Sequence, residues 1–299
     1  MRVTVSVPAT TANVGPGFDS IGMALSMRNT LAAETTGEPP GALYIAADGA
    51  ASDAERVPTD KTNLIYRVIR AFYHGVGLGE PPGLRLTQTD AIPLTRGLGS
   101  SAACVVAGLC AANALSGANL SWEEIARRAS VIEGHPDNAF PAALGGLIVA
   151  ASDGKRIEYV RADKLPGLGV TALIPDFTLP TDEARRILPA RYPQEDAVFN
   201  VSRAALLAAA LFSGDWEKLS FAVDDRLHQP YRKPLIPGYD DITRMCREAG
   251  SLASFLSGAG PTVIALHDSP GFADRIAPPD GWRAEALSPD FEGAVVSIE

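Results

Sequence analysis

Apolar and polar positions alternate through Met1-Arg2-Val3-Thr4-Val5-Ser6-Val7, which predicts a strand with one buried face. The next stretch, Pro8-Ala9-Thr10-Thr11-Ala12-Asn13-Val14-Gly15-Pro16-Gly17-Phe18-Asp19, is rich in turn residues and predicts a loop. Ile21 to Leu31 is strand-like, Gly37 to Gly41 a turn, and Leu43 to Ala47 a further strand. From Thr62 to His74 the apolar positions Leu64, Ile65, Val68, Ile69 and Phe72 have helical spacing, with Thr62 or Asp60 as caps. Leu84 to Thr89 alternates cleanly, the pattern of a half-buried strand. Ala102 to Leu115 is apolar apart from Gly108 and Asn113 and predicts a buried helix. Ser121-Trp122-Glu123-Glu124 reads as a capping box opening a second helix that runs to about Ile132. Glu133-Gly134-His135-Pro136-Asp137-Asn138 predicts a turn, because His135 precedes proline, and Gly145 to Ala151 a buried strand.

Beyond Asp153-Gly154 the pattern restarts. It predicts strands near Ile157–Val160 and Val170–Ile174, then helices around Thr181–Leu188, Ala197–Leu211 and Tyr239–Ala249. Strands near Ser254–Leu256, Thr262–His267 and Ala294–Ile298 close the chain. The natural boundary lies near residue 155, giving domains 1–155 and 156–299. Strands that alternate, instead of running continuously apolar, point to an α+β architecture with antiparallel sheets.

With 299 residues the chain is long enough for two domains, and 46% hydrophobic against 20% charged residues is an ordinary globular balance. A net charge of -9 argues against DNA, RNA or an anionic membrane as the main partner. The N-terminus lacks the charged-then-apolar build of a signal peptide. The most membrane-like stretch, 102–115, falls short of the roughly 20 apolar residues a bilayer span needs. Cys104, Cys110 and Cys246 form no CxxC pattern, so a reduced, cytoplasmic setting fits best.

The chemistry starts at Arg96-Gly97-Leu98-Gly99-Ser100-Ser101-Ala102. Glycines let a backbone approach phosphate closely, and a helix starting just after them adds free N–H donors and a positive dipole end. A second reading is a plain glycine turn with Ser100 as helix cap. A third is dinucleotide binding, since Gly97-x-Gly99-x-x-Ala102 fits G-x-G-x-x-A. That motif needs a buried strand running straight into its first glycine. Here the preceding strand ends near Thr89, is half polar, and is cut off from the glycines by Ala91-Ile92-Pro93, so the context fails. The Walker pattern GxxxxGK(S/T) is absent, and no G-x-S-x-G supports a serine hydrolase.

Phosphoryl transfer from ATP needs Mg²⁺, held by one or two carboxylates and phosphate oxygens. Glu133 and Asp137-Asn138 lie in one turn, and Asn13 and Asp19 flank a Gly-Pro-Gly loop. Each taken singly is ordinary turn chemistry. With the glycine-serine loop they give three polar loops in one domain, more than a structural domain needs. The four histidines show no metal-ligand spacing and read as structural.

These segments carry a resemblance. Pro93-Leu94-Thr95-Arg96-Gly97-Leu98-Gly99-Ser100-Ser101-Ala102-Ala103 resembles the ATP-binding motif of the GHMP kinases. Pro8 to Asp19 is similar to their N-terminal motif in the form of the homoserine branch, with Thr10 where that branch often has serine. Glu133 to Asn138 resembles the same branch's central segment, and Ser257-Gly258-Ala259-Gly260-Pro261-Thr262 the family's C-terminal glycine motif. The resemblance covers the whole chain in order. It implies an N-terminal ribosomal-S5-domain-2-like, ATP-binding domain and a C-terminal ferredoxin-like domain that contributes to the substrate site.

By the same resemblance, Pro93, Leu94, Thr95, Arg96, Gly97, Leu98, Gly99, Ser100, Ser101 and Ala102 would wrap the phosphates of ATP. Ser100 or Ser101 would serve Mg²⁺ together with Glu133, and Asn63 would contact the nucleoside. Asn13, Asp19 and Asn138 would meet the head and hydroxyl of L-homoserine, with Thr181, Arg185 and Arg232 as contacts from the second domain. Arginine suits a carboxylate, because its fork can bond both oxygens; otherwise Arg185 and Arg232 are solvated surface charges. The implied reaction gives O-phospho-L-homoserine, the step before threonine. Asn138 cannot act as a base, so direct transfer with late proton loss is expected; Asp137 is the nearest acid. The alternatives are another GHMP kinase acting on a different alcohol, or a non-catalytic protein of that fold. The family is also compatible with a homodimer.

Overall fold

A computed structural model describes residues 1–49 and 57–299. The chain runs β1 (Arg2–Ala12), β2 (Ile21–Thr35), β3 (Leu43–Gly49), α1 (Leu64–Gly75), β4 (Leu84–Asp90), α2 (Ser100–Ser116), α3 (Trp122–Glu133), α4 (Pro136–Leu144), β5 (Leu147–Ser152) and β6 (Ile157–Ala162). It continues with β7 (Gly169–Pro175), α5 (Thr181–Arg186), α6 (Gln194–Ser213), α7 (Leu219–Ala222), α8 (Gln229–Arg232), α9 (Tyr239–Glu248), β8 (Ala253–Leu256), β9 (Val263–His267), β10 (Trp282–Leu287) and β11 (Val295–Ile298).

Two sheets organise these elements. The first joins β11-β1-β2-β4-β3, with β5 and β6 added along the far half of β2. The second has the order β10-β7-β9-β8, the 4-1-3-2 arrangement of a ferredoxin-like sheet, and all its pairs are antiparallel. Among the described pairs only β3 with β4 is parallel. The α+β reading therefore stands. The first sheet nevertheless takes residues from both sides of residue 155: β6 pairs β5, and β11 pairs β1. The chain returns to its first strand because Val295 to Ile298 match the open edge of β1.

Several boundaries differ from the sequence reading for local reasons. β1 continues through Pro8 to Ala12 instead of ending in a loop, and a register shift between Pro8 and Ala9 absorbs the proline. Asn63, not Thr62 or Asp60, caps α1: its side chain accepts from the N–H groups of Ile65 and Tyr66. Ser121 caps α3 as expected, accepting from Glu124 N–H at 3.2 Å. The turn after α3 is only Gly134-His135, since α4 starts at Pro136. Proline is well suited to a first helical position, and His135 before it is extended as the proline demands. The edge strand β10, whose residues are mostly half-buried, and the single turns α7 and α8 carry too little periodicity to be read from sequence. α6 is the one helix among the described residues long and apolar enough, by length and composition, to cross a membrane, a stretch different from 102–115.

Helix α2 is the spine of the first domain. It is apolar on all sides, and Ala102, Val105, Val106, Ala111 and Ala112 are wholly buried. It packs between α1, α3 and α4 and against β1, which holds its N-terminal end at the tip of β1. Apolar burial at about 25 cal/mol per Å² fixes that placement far more strongly than any single polar contact in the site.

Candidate functional site

A cleft of about 560 Å³ opens where the loops after β1 and β4, the α3–α4 turn and the start of α5 meet. Its first wall is the glycine-serine loop. Gly97 and Gly99 both have positive φ (77° and 71°), and Gly99 occupies the position before α2 with no side-chain cap. A Cβ on Gly97 would stand 2.3 Å from Ser257 O, and one on Gly99 1.9 Å from Thr10 Oγ1. Only glycine fits either place. Ser100 is thus the first residue of α2 and not its cap; its Oγ is buried without a hydrogen-bond partner.

The C-terminal glycine segment buttresses this loop. Ser257 Oγ lies 2.6 Å from Gly97 O and 2.9 Å from Thr11 Oγ1, while Gly258 N–H donates to Ala12 O at 2.9 Å. That contact explains why three segments distant in sequence carry matching glycines and hydroxyls. Arg96 links the loop to the second domain: its guanidinium donates to Pro175 O at 3.0 Å, Leu94 O at 3.2 Å and Asp176 O at 2.8 Å. These bonds anchor the loop, and Arg96 also lines the cleft. Leu94, Thr95, Arg96, Gly97, Gly99, Ser100 and Ser101 line the cleft, whereas Pro93, Leu98 and Ala102 are buried away from it.

Across the cleft, Ser101 Oγ donates to Glu133 Oε1 at 2.7 Å. Burial pushes the Glu133 carboxyl above its ordinary range; the Ser101 bond and His135 pull it back, and Asp137 adds to the rise. His135 Nδ1 lies 2.5 Å from Asp137 Oδ1. Burial pulls the His135 imidazolium down, but the bond and charge of Asp137, helped by Asp19, outweigh it and the net direction is up. Asn138, in the first turn of α4, accepts from Thr10 Oγ1 at 2.6 Å. Asn63 lines the cleft, yet both ends of its amide are committed, the carbonyl to the cap and Nδ2 to Pro58 O at 2.8 Å.

The far end of the cleft is charged. Asn13 and Asp19 both take left-handed backbone (φ 64° and 53°) in the loop after β1. Asn13 Nδ2 donates to Gly258 O at 2.8 Å, and its Oδ1 accepts from Asp19 N–H at 2.9 Å. Asp19 pairs with Arg185 of α5 at 2.8 Å, and Thr181 stands at the same rim. Arg232 is no solvated charge. It is 1% exposed, with Nε donating to Ala184 O at 3.1 Å and Nη1 to Gly258 O at 3.0 Å. Arg185 and Arg232 both lie over the Phe18 ring, at 5.9 and 5.4 Å. Burial first, then the neighbouring Arg185, bring the Arg232 guanidinium down to about 10. Arg185 and Arg232 thus share one end of the cleft with Asp19 and with the His135–Asp137 pair, a mix of charges that suits a small zwitterion.

Sequence reasoning named most of this cleft but missed several of its lining residues, among them His135, read as structural, and Gln88 and Cys104, hidden in regular elements; it also gave no role to Thr10, which holds Asn138. His135 was legible in principle, since an i, i+2 pair with Asp137 flanks a proline within a segment already marked out.

Comparison with known proteins gives the same picture. The family model described as "GHMP kinases N terminal domain" matches residues 63–146, and "GHMP kinases C terminal" residues 207–278. A homoserine kinase of Caldicellulosiruptor bescii is 46% identical over 89% of this chain and 84% of its own length. That of Synechococcus sp. is 45% identical over 96% of this chain and 93% of its own. The crystal structure of homoserine kinase from Cytophaga hutchinsonii superposes with a TM-score of 0.86 at 28% identity, covering 99% of this chain and 97% of that one. L. major mevalonate kinase shares the fold, with a TM-score of 0.74 at 18% identity over 95% of this chain and 94% of its own. The chain belongs to the homoserine kinase branch of the GHMP kinase family.

Proposed function

We propose that this chain transfers the γ-phosphoryl group of ATP to the side-chain hydroxyl of L-homoserine, giving O-phospho-L-homoserine on the route to threonine. The observation that carries the reading is the gathering of Arg185, Arg232, Asp19 and Asp137 in the lining of one cleft with the glycine-serine loop, Arg185 paired with Asp19. An α-amino acid needs one cationic and one anionic partner for its head, and mevalonate or galactose does not.

The backbone N–H groups around Gly97 to Ser101 and the N-terminus of α2 cradle the phosphates. Ser101, Ser100 and Glu133 offer hard oxygen donors side by side, the ligand class Mg²⁺ takes, and the partnerless Ser100 hydroxyl fits such a site. When bound, that ion neutralises charge on the phosphates. Arg232 and Arg185 take the carboxylate, Asp19 the ammonium, and Asn13 keeps the Asp19 loop in its left-handed turn. Asn138, fixed by Thr10, turns its Nδ2 donor to the hydroxyl and reacting phosphoryl oxygens. It carries no basic atom. Transfer therefore proceeds by positioning and charge neutralisation, with the hydroxyl proton leaving late to phosphate or water. The nucleoside lies towards Asn63, which shapes that end through the α1 cap. Buried free thiols at Cys104, Cys110 and Cys246 support a reducing, cytoplasmic setting.

ADP release from Mg-ATP with L-homoserine tests the reading, set beside mevalonate, galactose and shikimate. Turnover confined to homoserine supports it. Turnover with another alcohol and none with homoserine overturns the substrate, and none with any points to a non-catalytic protein of this fold.

A further inference from the structure

Arg232 is held by more than backbone carbonyls. Its Nη1 lies 3.2 Å from Nδ1 of His228, one helical turn earlier on the same segment. His228 is wholly buried, and its Nε2 lies 2.7 Å from Gly15 O. A carbonyl oxygen can only accept, so Nε2 carries the proton. In the neutral ring Nδ1 then has a lone pair, and that lone pair faces the Arg232 N–H. The ring is fixed in other ways too. Phe18 stacks on it at 5.3 Å with an 18° tilt. Asp225 accepts from the backbone N–H groups of His228 and Gln229, at 3.0 and 2.7 Å, and so ties down the start of α8. Burial, with Arg232 adding to it, keeps the imidazole neutral against the pull of Asp225.

The consequence falls on Arg232. Its Nε and Nη1 are spent on Ala184 O, Gly258 O and His228, while Nη2 makes no hydrogen bond among the described residues. Arg232 borders the cleft, so Nη2 is the nitrogen left for a ligand. Without the Nδ1 acceptor the guanidinium could rotate about its long side chain, and part of the fixed aim would be lost.

We infer that His228 is a positioning residue for the substrate carboxylate: as the Nε2–H tautomer it bridges Gly15 O and Arg232 Nη1, and so aims Nη2 into the cleft. This rests on the reading of Arg232 as a carboxylate partner. The test compares steady-state KM values for L-homoserine and for ATP in Arg232→Ala, His228→Gln, His228→Asn and the double variant Arg232→Ala/His228→Gln. Asparagine places an acceptor where Nδ1 was, and glutamine keeps the donor to Gly15 O but lacks that acceptor.

His228→Gln is expected to raise the homoserine KM about 10-fold, the scale of one lost charge-assisted bond, with the ATP KM within about twofold. His228→Asn should recover most of the loss, and His228→Gln should add nothing once Arg232 is alanine. A homoserine KM within twofold of wild type in His228→Gln, equal rises for both substrates, or full additivity with Arg232→Ala overturns the inference. If His228→Gln does not fold, His228→Ala takes its place beside His228→Asn: a selective rise of about tenfold in alanine that asparagine recovers supports the inference, and a near-normal homoserine KM in alanine overturns it. Should Arg232→Ala itself leave the homoserine KM unchanged, the carboxylate reading falls, which is a distinct failure.

Discussion

Ser101 Oγ donates to Glu133 Oε1 across 2.7 Å, joining the first turn of α2 to the last residue of α3. The bond brings a hydroxyl and a carboxylate together at a helix N-terminus, where the dipole favours an anion and its counter-ion. Removing the Glu133 charge keeps the shape and takes away the anionic donor. Glu133→Gln should lower kcat about 10- to 100-fold and raise the Mg²⁺ concentration needed for half-maximal rate. Mg²⁺ titrations at saturating ATP and homoserine check it. Near-normal turnover at moderate Mg²⁺ removes Glu133 from the ion site.

The same residue sets a pH dependence. Burial favours the neutral carboxyl of Glu133, so on acidification it takes up a proton earlier than an ordinary glutamate with its value of 4.5. At limiting Mg²⁺ the rate should fall on an acid limb that begins above that value. In Glu133→Gln the limb should vanish. A limb unchanged in the variant assigns it to another group.

His135 gives the opposite sign. Its folded value lies above the ordinary 6.5 because Asp137 favours the charged ring. A raised value means that the pair's contribution to stability is fully present below pH 6.5 and is lost as pH rises through the folded value. His135→Gln should therefore destabilise the protein at pH 6 and much less at pH 9, read as urea midpoints. Equal loss at both pH values would mean packing rather than charge.

Gly99 tests the loop's geometry. At φ 71° a side chain costs about 1–2 kcal/mol in backbone strain, and its Cβ would meet Thr10 Oγ1 at 1.9 Å. Gly99→Ala should lower the urea midpoint. It should also raise the ATP KM at least about tenfold, more than that for homoserine, because the donors of the phosphate cradle move. A normal ATP KM would place the phosphates elsewhere.

How much of the chain was legible depends on how local each cause is. The alternation of β1 and β4 and the continuous apolar face of α2 are local, and they appear as read. The glycines at 97 and 99 were legible as a motif, but the contacts that demand them, Ser257 O and Thr10 Oγ1, are remote in sequence. Arg232 was legible only through resemblance. Its acceptors Ala184 O and Gly258 O lie 48 and 26 residues away, and no local pattern reports that a charge will be buried there. At Asn63 the missed part is the cap: its side chain accepts from the N–H groups of Ile65 and Tyr66, a role the sequence reading gave to Thr62 or Asp60. The return of β11 to β1 is likewise non-local, decided by an open edge about 290 residues upstream.

The proposed role of Asp19 is to meet the ammonium of the substrate while its partner Arg185 meets the carboxylate. Its pair with Arg185 is partly open to solvent, with side chains 35% and 38% exposed, so in stability it is worth only about 0–1 kcal/mol. Asp19→Asn should therefore fold normally, and its effect should be one of recognition. It removes the anion nearest the ammonium and leaves Arg185 without a charged partner, so the carboxylate end stays cationic. The homoserine KM should rise about tenfold or more with the ATP KM unchanged. Discrimination between homoserine and 4-hydroxybutyrate, which lacks the amino group, should shrink, since the variant no longer gains from the ammonium. Competition of the two alcohols in the ADP-release assay reads this ratio directly. An unchanged ratio would assign the ammonium to Asp137, the other acid of the cleft, and leave Asp19 with the task of orienting Arg185.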